Sequence, residues 1–156
     1  MSVKFISIVI MSNDFMKDND INGLRKAFFV TYQKMRSNKI LEPVENQIAY
    51  VINAYPEYQR FLENIKSAEK VFSDYEENPF LKMALHLSII EQVSTNRPPG
   101  IRDLYHGACQ SNENIVVEKL MATVLQVYMH ESLIGHQAPD EQQYLKSLQE
   151  KLHMLK

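Results

Sequence analysis

Asn78-Pro79-Phe80-Leu81-Lys82-Met83-Ala84-Leu85-His86-Leu87-Ser88-Ile89-Ile90-Glu91-Gln92-Val93 carries the reading of the fold. Asn78 offers a side-chain oxygen to cap a helix. Pro79 suits the first helical position, where its missing N–H has no intrahelical partner to lose. The residues that follow are apolar almost all round, which predicts a helix buried on most of its circumference and central to its fold. Thr95-Asn96-Arg97-Pro98-Pro99-Gly100 then breaks the chain rigidly. Ser111 to Asn114 caps a second such element, about Glu113 to Leu133. There Ile115, Val116, Leu120, Met121, Val124, Leu125, Tyr128 and Met129 recur at helical spacing.

Helical signals extend outward from these two segments. Upstream, Leu24, Ala27, Phe28, Thr31, Tyr32 and Met35 form a stripe over about Ile21 to Ser37, with Asp18, Asn19 and Asp20 as candidate cap residues. Leu41-Glu42-Pro43 opens a helix to about Ala54, with Val44, Ile48, Val51 and Ile52 facing inward. Pro56 ends that helix and starts a short third one carrying Tyr58, Phe61 and Leu62. Residues 64–77 are polar and weakly patterned, which predicts a short helix followed by a surface loop. Between the two apolar segments, Ile101, Leu104, Tyr105 and Ala108 give a helix over about Gly100 to Cys109. Gly135 to Pro139 reads as a loop. Asp140 opens a last helix whose Leu145, Leu148, Leu152 and Leu155 make a narrow stripe.

Composition agrees with helices. The 156 residues are 45% apolar and 23% charged, the profile of a folded domain, and only four glycines are available for strand turns. The expected architecture is all-α: one compact helical bundle of about six to seven helices over residues 20–156, preceded by an extension, residues 1–19. Within that extension, Lys4 followed by Phe5 to Ile10 has a faint signal-peptide look. The run is very short, however, and Ser12-Asn13-Asp14 is no cleavage site. Because helical patterning begins only near Asp20, translation is expected to start at Met11.

The formal net charge of −2 lacks the basic excess that neutralises phosphates. A helix-turn-helix over Ile101 to Leu125 would present only Lys119 as a basic residue, beside Glu113 and Glu118. No nucleic-acid partner is therefore expected. No apolar run reaches the roughly 18 residues of a membrane span. Cys109 is the single cysteine, which excludes an intrachain disulfide, fits a reducing cytoplasm and is read as an inert buried thiol.

No Gly-rich phosphate loop, nucleophile elbow or zincin pattern occurs, and Glu-x-x-His is not found on paired helices as a di-iron bundle would need. The polar residues of interest are His86 and Glu91 on the apolar fourth helix, since buried polar groups need partners. Two readings compete. In one, His86, Glu91 and Glu118 are metal ligands or acid–base groups in a cleft between the fourth and sixth helices. In the other, Glu91 pairs with Arg97 or Arg102 across the Pro-Pro-Gly turn and His86 is a hydrogen-bonded core residue. Five positions place His86 and Glu91 well over a quarter turn apart, so the pair cannot chelate one ion directly, and the second reading is favoured. Asp103 and His106 read as a surface pair. The leucine stripe of the last helix either closes the bundle or docks a partner helix or a second copy.

The block from Asn78 to Leu87, with Glu91-Gln92 and Arg97-Pro98-Pro99-Gly100-Ile101-Arg102, resembles the bacterial family known as domain of unknown function 1841. The likeness runs from about Leu24 to Leu152 and includes Leu41-Glu42-Pro43, Pro56-Glu57-Tyr58 and Pro139-Asp140-Glu141-Gln142. It implies a cytoplasmic helical protein with no established activity. It also implies, in relatives, a second His where this chain has Lys82. The later helix of relatives has a Glu-His pair and a further Glu where this chain has Glu118-Lys119 and Thr123. Two such helices could hold a divalent metal. Here lysine, a poor ligand, stands in for the histidine. Lys82 would replace the metal's charge by pairing with Glu118 or Glu91. The expectation is a non-catalytic interaction or adaptor module with no cofactor, engaging a protein partner or itself; the alternative is a metal- or small-ligand-binding protein.

Overall fold

The computed structural model describes residues 18–64, 66, 78–135 and 140–155. Among them are six α-helices, one 3-10 segment and no strand. The helices are α1 (Asp18–Arg36), α2 (Pro43–Ala54), α3 (Pro79–Thr95), α4 (Ile101–Cys109), α5 (Asn114–Ile134) and α6 (Glu141–His153), with the 3-10 segment at Pro56–Leu62. The readings of residues 1–10 and Met11, of most of the 64–77 stretch and of 136–139 fall outside the described residues. The chain divides into two compact units, Met1–Leu87 and Ser88–Lys156, and the boundary falls inside α3. No composition shift marks that point, so a sequence read as one bundle gives no sign of it.

In the first unit, α1 buries Leu24, Phe28, Thr31 and Tyr32 at three- and four-residue steps, the periodicity of one helix face. The helix already contains Asp18 to Asp20, read above as cap residues. Its last turn meets the first turn of α2: Lys34 Nζ donates to both carboxylate oxygens of Glu45 at 2.6 and 2.9 Å. Glu45 also accepts the Glu42 backbone N–H at 2.8 Å, occupying one of the free donors at the start of α2. The Lys34 hydrogen bond first, and the Glu42 N–H second, hold this carboxyl below the usual glutamate range. Helix α2 buries Ile48, Ala49, Val51, Ile52 and Ala54. The short third helix winds as 3-10 rather than α, a tighter form that here runs for seven residues. Gln33 Nε2 ties its end to α1 by donating to the Leu62 carbonyl at 3.3 Å. Asn78 Oδ1 caps α3 by accepting the N–H groups of Phe80 and Leu81.

The second unit opens with the end of α3 and turns sharply into α4. Asn96 stands in the left-handed region at φ 51°. Its N–H donates to the Val93 carbonyl and that of Arg97 to the Gln92 carbonyl, the two bonds of a Schellman stop. The Asn96 side chain then accepts the backbone N–H groups of Gly100 and Arg102, linking the end of one helix to the start of the next. Gly100, at φ 100°, occupies a conformation that L side chains rarely adopt. Helix α6 begins at Asp140, whose Oδ1 accepts the N–H groups of Gln142 and Gln143 at 3.0 and 3.3 Å.

Helix α1 stops the same way: Asn38 has φ 51°, with Asn38 N–H to the Met35 carbonyl and Lys39 N–H to the Lys34 carbonyl. In a glycine-poor chain, asparagine supplies both left-handed stops. The two sites should respond differently to glycine. Asn38→Gly relieves backbone strain at an exposed residue and is expected to be neutral or stabilising by up to about 1 kcal/mol. Asn96→Gly removes an acceptor of two N–H groups and is expected to destabilise by about 1 kcal/mol. Urea unfolding of both variants tests this; equal shifts in midpoint would refute the cap assigned to Asn96.

Candidate functional site

Each residue singled out in the sequence has a definite place. His86 is fully buried in the first unit. Its Nδ1 lies 3.2 Å from the Tyr55 hydroxyl, and Tyr50 and Tyr55 both meet the imidazole ring edge-on. Tyr58 stacks on Tyr55 at 5.2 Å between ring centroids. Tyr50 of α2 and Tyr55 at the joint between α2 and the 3-10 segment, neither weighed as a partner in the sequence reading, thus hold His86 as a hydrogen-bonded core residue.

Glu91 and Glu118 are buried and belong to the second unit. Glu118 accepts the Tyr105 hydroxyl at 2.9 Å. Burial, followed by the negative charge of Glu118, pushes the Tyr105 phenol well above its usual range, so it stays a donor. The neighbouring Cys109 thiol is also pushed up by burial and by Glu118, against an opposing hydrogen bond from Tyr105. A thiol so placed is protonated at neutral pH and a weak nucleophile.

The expected pairing of Glu91 with Arg97 or Arg102 does not form. The Arg97 side chain is exposed, whereas Arg102 Nε and Nη2 donate to the carbonyls of Val93 and Ser94 at the end of α3. The terminal turn of a helix presents unsatisfied carbonyls and the negative end of its dipole, so a guanidinium is well satisfied there. Lys82 is half-buried and belongs to the first unit. Among the described residues, no group of three or more His, Cys, Asp or Glu side chains is placed to hold a metal ion.

The leucine stripe of α6 divides. Leu148 and Leu152 are buried and Leu145 and Leu155 half-buried, with Tyr144 completing the inner face. Two of the four leucines therefore lie inside the unit rather than on a docking face. Three of the exposed large apolar side chains share one helix, α5. Val116, one of the residues that mark this helix in the sequence, is 45% exposed, Val127 52% and Ile134 67%. Leu120 between them is half-buried, and Thr123 and His130 are exposed. Their spacing alternates four and three residues, which aligns them on one stripe of an α-helix about 27 Å long. The helix looked apolar all round in sequence because its core face and its solvent face both carry aliphatic residues.

A second surface feature lies between α4 and α6. It is an open groove of about 600 Å³ whose lining includes Leu104, Gly107, Ala108, Leu152, Asp103 and Glu150. The sequence held one clue to it, a glycine within a short helix.

These features define an all-α protein with a solvent-facing aliphatic seam and a helix–helix groove. The chain belongs to the family described as domain of unknown function (DUF1841), whose model matches residues 20–150. No curated protein matches it, and no solved structure does.

Proposed function

We propose that the protein is a non-catalytic interaction module that self-associates, α5 of one copy pairing antiparallel with α5 of a second. The supporting observation is the heptad-spaced, exposed seam Val116, Leu120, Thr123, Val127, His130, Ile134. A surface helix ordinarily turns polar residues outward, and an aliphatic stripe in solvent is the mark of a contact face. The seam is complementary to itself when reversed. Taken about the level of Leu125, Val116 meets Ile134, Leu120 meets His130 and Thr123 meets Val127, so every layer contains an aliphatic side chain. A parallel pairing would instead set His130 against His130 and Thr123 against Thr123. The reversed arrangement also separates the two copies of Lys119 by about 18 Å along the axis, and likewise the two copies of Glu131.

The same reading keeps the protein in the cytoplasm, consistent with a lone cysteine. No helix among the described residues is long and apolar enough to cross a membrane.

Sedimentation equilibrium on the full chain tests the pairing. A dimer is expected at micromolar concentration, and Val127→Glu should shift it to monomer by at least tenfold in dissociation constant. In a Cys109→Ser background, Thr123→Cys with Val127→Cys should cross-link two chains, whereas Thr123→Cys alone should not. A monomer at all concentrations, or a dimer indifferent to Val127→Glu, refutes the proposal.

A further inference from the structure

Gly107 sits in the last turn of α4, where glycine is a poorer helix former than alanine. A side chain there would meet no atom within 4 Å, so neither packing nor backbone conformation calls for its absence. The bare backbone instead forms part of the lining of the α4–α6 groove, together with Leu104, Ala108 and Leu152. Asp103 lies one turn before Gly107 on the same helix, and Glu150 stands on α6 across the groove. An open groove with aliphatic side chains in its lining, a backbone open to close approach and a carboxylate from each helix has a definite complement: a slim apolar stretch carrying a positive charge.

We infer that this groove binds a short peptide segment of a partner protein, with an arginine or lysine between Asp103 and Glu150 and a small aliphatic residue over Gly107. Charge selects the occupant. The groove's ionisable lining consists of those two carboxylates and His153, so an acidic segment meets repulsion and a basic one attraction. The small residues Gly107 and Ala108 in the lining admit main chain or alanine-sized side chains at close range, which gives the contact shape as well as charge. The inference stands apart from the α5 seam, since it uses different helices and needs no second copy.

The test uses the full chain, labelled with ¹⁵N, and a blocked pentapeptide of four alanines around a central arginine. The peptide is expected to shift the amide resonances of Gly107, Ala108 and Glu150 with a submillimolar dissociation constant. The same peptide with a central glutamate should leave them in place. Gly107→Leu should fill the groove and weaken binding at least tenfold while the melting temperature holds or rises, because leucine is the better helix former. Asp103→Asn and Glu150→Gln should each weaken binding several-fold. Absence of shifts in these amides, equal shifts with the glutamate peptide, or unchanged affinity in folded Gly107→Leu refutes the site. Binding of argininamide as tight as that of the peptide refutes the assignment to a peptide.

Discussion

Tyr144→Ala is expected to destabilise the second unit by about 3–5 kcal/mol, the range for emptying a buried aromatic site. That is a large part of the 5–15 kcal/mol by which domains are ordinarily stable. Tyr144 is fully buried on α6, its ring stacks on Tyr128 at 5.1 Å, and its hydroxyl donates to Gln92 Oε1 at 2.7 Å. Burial pushes its phenol well above the usual range, and burial first with Asp140 and Glu141 after it pushes Tyr128 up to about 12. Neither ring ionises near neutrality. The hydroxyl contribution can be separated from the ring. Gln92 is buried, and its Nε2 has no partner among the described residues, so Tyr144→Phe would leave the whole amide unpaired. A loss of about 1–3 kcal/mol follows. Adding Gln92→Leu should restore part of it, because removing both polar partners removes the penalty of an unpaired one. Urea unfolding of the two single variants and the double variant forms a complete cycle. A Tyr144→Phe protein as stable as wild type would mean that the hydrogen bond contributes nothing.

The second large effect is expected at Leu148. It is fully buried, so Leu148→Ala should cost about 2–5 kcal/mol. Leu145, half-buried one step away, should cost about 1 kcal/mol or less when changed to alanine. Thermal melting of the two variants separates a core stripe from a docking stripe. If the leucines served a partner rather than the unit, both substitutions would leave the melting temperature near wild type. A small loss at Leu148 would therefore refute its assignment to the core.

The leucine stripe shows where a one-dimensional reading stops. Period alone makes 145, 148, 152 and 155 one face, but a helix face has a centre and two edges, and only packing decides which residues occupy the centre. Tyr144 displaces Leu145 from it. The same holds on α5, where aliphatic residues surround the helix and the sequence cannot say which side meets water. Val116 counts toward the apolar pattern of this helix and lies outside, and the seam came to light only through exposure. The groove depends on two helices about forty residues apart, and no local pattern in either helix encodes it apart from the unexplained Gly107.

Polar partners divide in the same way. Asp140 and Asn78 were legible as caps because a cap bonds N–H groups two or three residues away. The partners of His86 and Glu118 were not, since Tyr55 and Tyr105 reach them across 31 and 13 residues. Arg102 was assigned to a carboxylate by charge, whereas in the fold it meets the carbonyl end of α3.

The sequence by itself determined that the chain is helical and where most helices begin and end, because periodicity, proline and capping act within a turn or two. It also carried the family, in the block around Asn78 to Arg102. The tertiary structure alone decided which side of each helix is buried, where the two units divide and which polar groups meet. Those outcomes rest on contacts between residues far apart in the chain, and such contacts exist only once the helices have packed.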